Sequence, residues 1–396
     1  MRRTPLISLA LLAACGGSAP SGPGPTLLVA QAQFTDGTRP DGSKGPVPGA
    51  ARLVIVRLLP GDGGSVRTVL EDPDSQVFHK AMPWEDGFLT IGATKAHLKT
   101  WKRDGDAWKG TSRWNPVFGG KFDRLRDVER GDVDRDGKED LVVATHDQGV
   151  VAIVHPSDGW KVDEIDRRPS TFVHEIELGD VDGDGQLEIF ATPSNPNKLD
   201  QEQAGEVAVY RRTPTGWQRG VVDAPGDTHA KEVLAADVDG DNISEVYVVW
   251  EGTFGPGGAL LRPVTITQYR WKDGSFHGAP VGTVPDRQMR ALQAGDVTGD
   301  GKIDLVGSAL TSGVWLFERG ADGSWKRSAI DSASSGFEHP VDLADLDGDG
   351  KLEVYVGAED QQEVRRHRFK DGKWDKAAVA PLRKGDITWN LTHATL

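Results

Sequence analysis

The stretch "GDVDGDGQLEIF", Gly179 to Phe190, sets three aspartates within five residues directly before an apolar, strand-like run, and closes the turn with a glutamate. Carboxylates at that spacing repel one another unless a cation neutralises them. Asp180, Asp182 and Asp184 occupy positions 1, 3 and 5 of the turn, Gly185 permits a sharp reversal, the Gln186 backbone carbonyl can serve position 7, and Glu188 closes position 9. An all-oxygen set of this kind suits calcium. The longer, helix-flanked calcium loop does not fit, because the run after Glu188 is β-prone and the twelfth position would be Thr192.

Four further turns repeat the pattern. Their ligand positions are Asp132, Asp134, Asp136, the Lys138 carbonyl and Asp140; Asp237, Asp239, Asp241, the Ile243 carbonyl and Glu245; Asp296, Thr298, Asp300, the Lys302 carbonyl and Asp304; and Asp345, Asp347, Asp349, the Lys351 carbonyl and Glu353. Successive first aspartates lie 48, 57, 59 and 49 residues apart, a period that belongs to solenoids and propellers. Asn242 replaces the turn glycine in the third loop, which a left-handed asparagine tolerates, and Thr298 replaces a carboxylate in the fourth, which weakens that site. Calcium at up to five sites is therefore the expected cofactor.

After each turn the chain follows one script of strand, strand, aromatic hairpin and strand, as in "LEIFAT", "GEVAVYRR" and "TPTGWQRGVVD". A short run before each turn, such as "VHEIELGD", supplies a first strand. The aromatics Trp108, Trp160, Trp217, Phe276, Trp325 and Trp374 recur at the hairpin and are expected to pack between neighbouring units. Residues 89–112 read as a sixth copy without its acidic turn. Upstream, "TLLVAQAQF", "ARLVIVRLL" and "SVRTVLED" lack a first strand, which the C-terminal "GDITWNLTHATL" can provide. The expectation is an all-β, seven-bladed β-propeller of four-stranded antiparallel blades over residues 26–396, closed by combining the N- and C-terminal strands.

The pattern D-x-D-x-D-G-x-x-[DE] at 132–140, 180–188 and 345–353 resembles the FG-GAP/VCBS repeat family, which includes the integrin alpha-subunit propeller and bacterial surface proteins. The resemblance runs over nearly all of the chain beyond residue 25 and implies a calcium-binding propeller. It implies little about function, because adhesion modules, lectins, assembly factors and a few lyases share the repeat.

Residues 1–14, "MRRTPLISLALLAA", have a basic start and a short apolar run, as an export signal does, and "LAAC" resembles a bacterial lipobox that would be cleaved before Cys15 and lipidated there. Residues 15–25 then form a lipidated cysteine and a Gly, Ser and Pro tether. The reading is a bacterial envelope protein anchored outside the cytoplasm through Cys15, in the outer membrane where the host has one. Cys15 is the only cysteine, so no intrachain disulfide is possible. The formal charge of -14 becomes -16 without Arg2 and Arg3, and five calcium ions would bring it to about -6. No basic stripe is present, which argues against nucleic-acid binding.

Histidines cluster at the openings of the first strands: His79, His174, His229 and His339, with Arg124 or Arg126 and Arg290 in the equivalent slots of other copies. Together with Glu175, Glu338 and Lys231 they form candidates for a channel-mouth site that holds a transition metal or grips an anionic sugar. The leading expectation is nevertheless a calcium-stabilised, lipid-anchored module that binds an envelope protein or a glycan. The alternatives are a carbohydrate lyase or isomerase using His79, His174, His229, His339 and Arg290 at the channel mouth, and a structural envelope component. "EGTFGPGG" at Glu251–Gly258 reads as a flexible loop, and 192–206 as a polar excursion; no HExxH motif, phosphate loop or dinucleotide fingerprint occurs.

Overall fold

Each acidic turn delivers the chain into a strand that is buried along its whole length: Asp140–Thr145, Glu188–Ser194, Glu245–Trp250, Asp304–Ala309 and Glu353–Ala358. Continuous burial explains why these strands read as unbroken apolar, β-branched runs rather than alternating ones: both of their faces are covered. The computed structural model describes residues 22–39, 41–59, 64–119, 123–196 and 203–396. Residues 1–14, Cys15 and most of the tether lie outside the described residues.

The expected seven separate four-stranded blades are corrected by the hydrogen bonding. Among the described residues there are five four-stranded antiparallel sheets, one two-stranded ribbon, and a single eight-stranded sheet at the N-terminal end. In that large sheet the strands Ser65–Asp72, Lys44–Leu58 and Pro25–Thr38 continue into Val77–Trp84, Gly87–Ala93, Leu98–Asp104 and Ala107–Trp114, while the C-terminal strand Ile387–Thr395 pairs with Pro25–Thr38 off that path. The cause is local. Pro25–Thr38 has fourteen residues and an irregular register between Gln31 and Phe34, and at that irregularity Ala32 pairs with Val77, which joins what the sequence reads as two units. The architecture is thus a merged sheet with five smaller ones, not a seven-bladed closed propeller.

The first strands of the sheets pack side by side in chain order, Val77–Trp84 against Leu125–Gly131, then Phe172–Gly179, Ala230–Ala236, Met289–Gly295 and Val341–Ala344. Ile387–Thr395 contacts both Val341–Ala344 and Val77–Trp84. Apolar layers fill the space between neighbouring sheets. In one, Val133, Val142 and Ile153 meet Ile176, Ile189 and Tyr210. The hairpin aromatics take part, as with Trp160 against Trp84, Phe276 against Phe190, and Trp325 edge-on to Tyr247 at 6.1 Å.

One buried carboxylate holds a connection in place. Asp286 is fully buried; its Oδ2 accepts from the Thr311 amide and the Ser312 amide, both at 2.7 Å, and from Thr311 Oγ1 at 2.9 Å. Asp286→Ala strands these donors, and a loss of about 2 kcal/mol is expected in urea unfolding, with the m-value unchanged.

Candidate active site

The acidic turns build themselves from backbone donors. In the 180–188 loop, Asp180 accepts from the amides of Gly183 and Gly185, both at 2.8 Å, and Glu188 accepts from the Val181 amide at 3.1 Å. The same pattern holds Asp237, Asp296 and Asp345 in their loops. Gly185 and Asn242 both adopt left-handed backbone, at φ 77° and 66°, which is what the turn requires of those positions. Carboxylate oxygens converge in Asp132/Asp134/Asp136, Asp180/Asp182/Glu188, Asp237/Asp239/Asp241 and Asp345/Asp347/Asp349/Glu353. The Asp296 loop is not among these groups: Thr298 Oγ1 donates to Asp304 at 3.0 Å instead.

Of the channel-mouth candidates, His174 and His229 come together, with ring centroids 5.6 Å apart. His146, which sequence reasoning did not single out, joins them at 5.2 Å from His174. Lys231 lies against the His174 ring, its Nζ 3.0 Å from Nε2, and Ser194 Oγ stands 3.1 Å from the same nitrogen. His79 and His339 go elsewhere. His79 Nδ1 bonds the Leu125 carbonyl at 2.7 Å beneath Trp389, and His339 uses both nitrogens structurally, on the Ala309 carbonyl and Ser334 Oγ. Arg290 pairs with Glu338 and lies over the Phe337 ring. Arg126 bridges Glu175 and Glu338, at 3.3 and 3.5 Å.

Burial sets the protonation of the cluster. Burial, reinforced by Lys231, holds His174 well below the ordinary imidazole range and brings His229 down to about 3; burial brings His146 to about 3 as well. All three rings are neutral. Burial lowers Lys231 from the usual 10.5 to about 7 against the opposing pull of Glu251, and burial raises Glu251 above the usual carboxylate range against the pull of Lys231. A lysine and a carboxyl are thereby moved towards each other, and towards neutrality, in one site.

Next to this cluster opens a pocket of about 560 Å³, with His229, Glu251 and Gln203 on one side and Thr253, Phe254 and Leu261 on another. The wall includes the small ribbon Thr253–Phe254 paired with Leu260–Arg262, where sequence reasoning placed only a flexible glycine-rich loop. His229 Nε2, Glu251 Oε1 and Gln203 Oε1 are buried and have no hydrogen-bond partner in the protein. Their side chains are between 4 and 8% exposed, so the cost of leaving them bare falls on the folded state. Arg262 lines the pocket and is paired with Asp227 at 2.6 Å.

A second cavity, of about 360 Å³, lies among the first strands. Lys80 is its central cation, 3.0 Å from Asp127 and closer still to Glu129. Glu175, Glu177 and Glu232 add three more carboxyls, each raised well above 4.5 chiefly by burial and then by its acidic neighbours.

The FG-GAP-like repeat family matches residues 132–191, 180–248 and 296–356. This corrects the expectation of an FG-GAP/VCBS protein over nearly the whole chain: the matched stretches leave out the merged N-terminal sheet and the C-terminal strand. Comparison with curated proteins gave no match. Two solved structures match over the greater part of the chain. One, from Bacteroides uniformis ATCC 8492, is 13% identical with a TM-score of 0.58, covering 93% of this chain and 99% of its own. The other, from Bacteroides fragilis NCTC 9343, is 12% identical with a TM-score of 0.51, covering 96% of this chain and 100% of its own. Each is described as a "putative 6-phosphogluconolactonase". At such identity the likeness is one of fold.

These observations also correct the leading functional expectation. A calcium-stabilised binding or structural module accounts for the turns but not for a lysine brought to about 7 beside neutral histidines and a pocket lined by bare buried acceptors. The lipoprotein and membrane reading likewise gains nothing from the fold: among the described residues no helix is long and apolar enough to cross a membrane, and Cys15 lies outside them.

Proposed function

We propose that this chain is an enzyme that acts on a carbohydrate by proton transfer at the His174–Lys231–Glu251–His229 cluster. The observation that carries the reading is the pair of unpartnered acceptors, Glu251 Oε1 and Gln203 Oε1, beside His229 at the wall of the pocket. Acceptors without donors call for a ligand rich in hydroxyl groups, and a sugar acid or its lactone supplies them. Lys231, near its midpoint at neutral pH, can take and return a proton, and Glu251, raised by burial, can act as the complementary acid. With a sugar lactone, the base accepts a proton from attacking water as the ring acyl–oxygen bond opens, and the acid protonates the leaving alkoxide. The same pair would also serve β-elimination from a uronic acid.

The description of the structural neighbours favours lactones as the first substrates to test. The assay is acid release from six-carbon sugar-acid lactones, with and without a 6-phosphate, followed in a pH-stat, beside ultraviolet detection of unsaturated uronides. Turnover by the wild type that His229→Ala and Glu251→Gln both reduce supports the reading. A wild-type rate equal to the buffer background with both substrate classes overturns it.

We further propose calcium for the oxygen-only loops at 180–188, 237–245 and 345–353, whose carboxylates converge. A ligand that binds only the folded chain raises its stability. Calcium should raise the melting temperature of chelator-treated protein by several degrees where magnesium does not, and Asp184→Ala and Asp349→Ala should each reduce that gain. The sequence alone supports lipidation at Cys15 and a site outside the cytoplasm; palmitate labelling lost in Cys15→Ala tests that part.

A further inference from the structure

The first acidic loop stands apart from the others in the strand that adjoins it. Carried one position beyond the last paired residues, the strand register sets Arg211 beside Glu188, Arg270 beside Glu245, Glu318 beside Asp304 and Arg368 beside Glu353. Arg270 and Arg368 reach into their loops, Arg270 to Asp239 and Glu245, and Arg368 to Asp347 and Glu353. In the first loop this place belongs to His155, next after the Val154–Leu141 pair and in contact with Asp140. A neutral imidazole can offer a lone pair where an arginine offers only donors.

The closing residue is also different. It is an aspartate, shorter by one methylene than the glutamate of three other loops, and it is 2% exposed. Asp140 Oδ1 lies 2.8 Å from His155 Nδ1, while Asp140 Oδ2 is buried with no partner in the protein. One ligand atom each from Asp134, Asp140 and His155 lies within 4.8 Å of the others. An open cavity of about 630 Å³, lined by Asp134, His155 and Asp163, gives access from solvent. Asp163 Oδ2 is 3.3 Å from His155 Nε2, so a carboxylate is at hand to orient the ring.

We propose that the Asp132–Asp140 loop binds a zinc-class divalent ion through Asp134, Asp140 and His155, and so differs in metal from the oxygen-only loops. Two carboxylates and an imidazole form a mixed nitrogen and oxygen set, which zinc accepts and calcium does not need. Ligands from one loop and one strand leave a coordination position towards the cavity, open to water or to an anionic ligand. This site is on a different sheet from the Lys231 cluster and stands or falls independently of the carbohydrate reading.

The test uses the full chain, stripped with chelator, saturated with calcium and titrated with zinc alone. Calorimetry and metal analysis after desalting should give one zinc per chain. His155→Ala should weaken zinc binding at least tenfold and leave calcium stoichiometry unchanged. His155→Arg, which installs the residue of the 237–245 and 345–353 loops, should abolish zinc binding and keep the melting temperature. Cobalt substitution should give visible bands that disappear in both variants. Zinc binding of unchanged affinity in His155→Ala and His155→Arg would overturn the proposal, as would the absence of a stoichiometric zinc in the wild type.

Discussion

Lys231→Met should lower turnover on the responsive sugar substrate by about a hundredfold to ten-thousandfold, the range a positioned general acid or base contributes. Its melting temperature at pH 7.5 should not fall. The sign is set by the lowered pKa. Burial brings Lys231 to about 7, so between pH 7 and 10.5 the unfolded chain holds more protons at this residue than the folded one, and its penalty on folding grows as pH falls through that window. Methionine has similar length and no charge to bury, so the variant removes the penalty and should gain stability relative to wild type as pH drops towards 7. The wild-type kcat profile should show an ionisation near 7, which disappears in any residual activity of the variant. A variant that loses activity only in proportion to lost fold would remove Lys231 from the chemistry and leave it a structural group.

The acidic turns were the most legible feature of the chain, because the chemistry is contained in nine consecutive residues. Asp180 meets Gly183 and Gly185, and Glu188 meets Val181, without help from distant sequence. The buried strand after each turn was legible for the same reason. The pairing of the C-terminal strand with Pro25–Thr38 was readable from an unfilled place at each end of the chain. The merging of the first two units could not be read, since it depends on one contact, Ala32 with Val77, at a register irregularity.

The candidate site was half visible. His174 and His229 could be found because they hold equivalent slots in two repeats. His146, Ser194, Gln203 and Glu251 stand at or beyond the ends of second strands, in segments that read as connections of variable length, and no local pattern marks them. Ser194 and Glu251 meet His174 and His229 through first-to-second strand pairing within a sheet, whereas His146 and Lys231 reach His174 from the sheets on either side. Glu251 lies 3.4 Å from His229 across 22 residues of sequence, and Lys231 reaches His174 across 57. The equivalence of slots was equally misleading for His339, whose two nitrogens are consumed by the end of the neighbouring strand Asp304–Ala309 and by its own turn.

The other large effect is expected at Lys80, whose ammonium is held among carboxyls. Lys80 is 3.0 Å from Asp127 and bonded to Glu129, with Glu175, Glu177 and Glu232 around the same cavity. Burial works against the charged lysine, but Asp127 and Glu129 hold its pKa well above 10.5, so its contribution is complete at neutral pH and is lost only in strong alkali. Lys80→Met takes the cation away from Asp127 and Glu129 and should cost about 3 kcal/mol at pH 7.5, as removal of one partner of a buried pair does. The loss must depend on pH in a definite direction. Glu177 and Glu232 already have folded pKa values well above 4.5, so the folded state binds protons there more readily than the unfolded chain, and their penalty appears as pH rises above 4.5 and is relieved as it falls. Without Lys80 that penalty grows, and so the gap in melting temperature between variant and wild type should narrow from pH 7.5 to pH 5. A gap that stays constant would mean that the lysine acts through its packing, and that the carboxyls of this cavity are kept apart by water rather than by its charge.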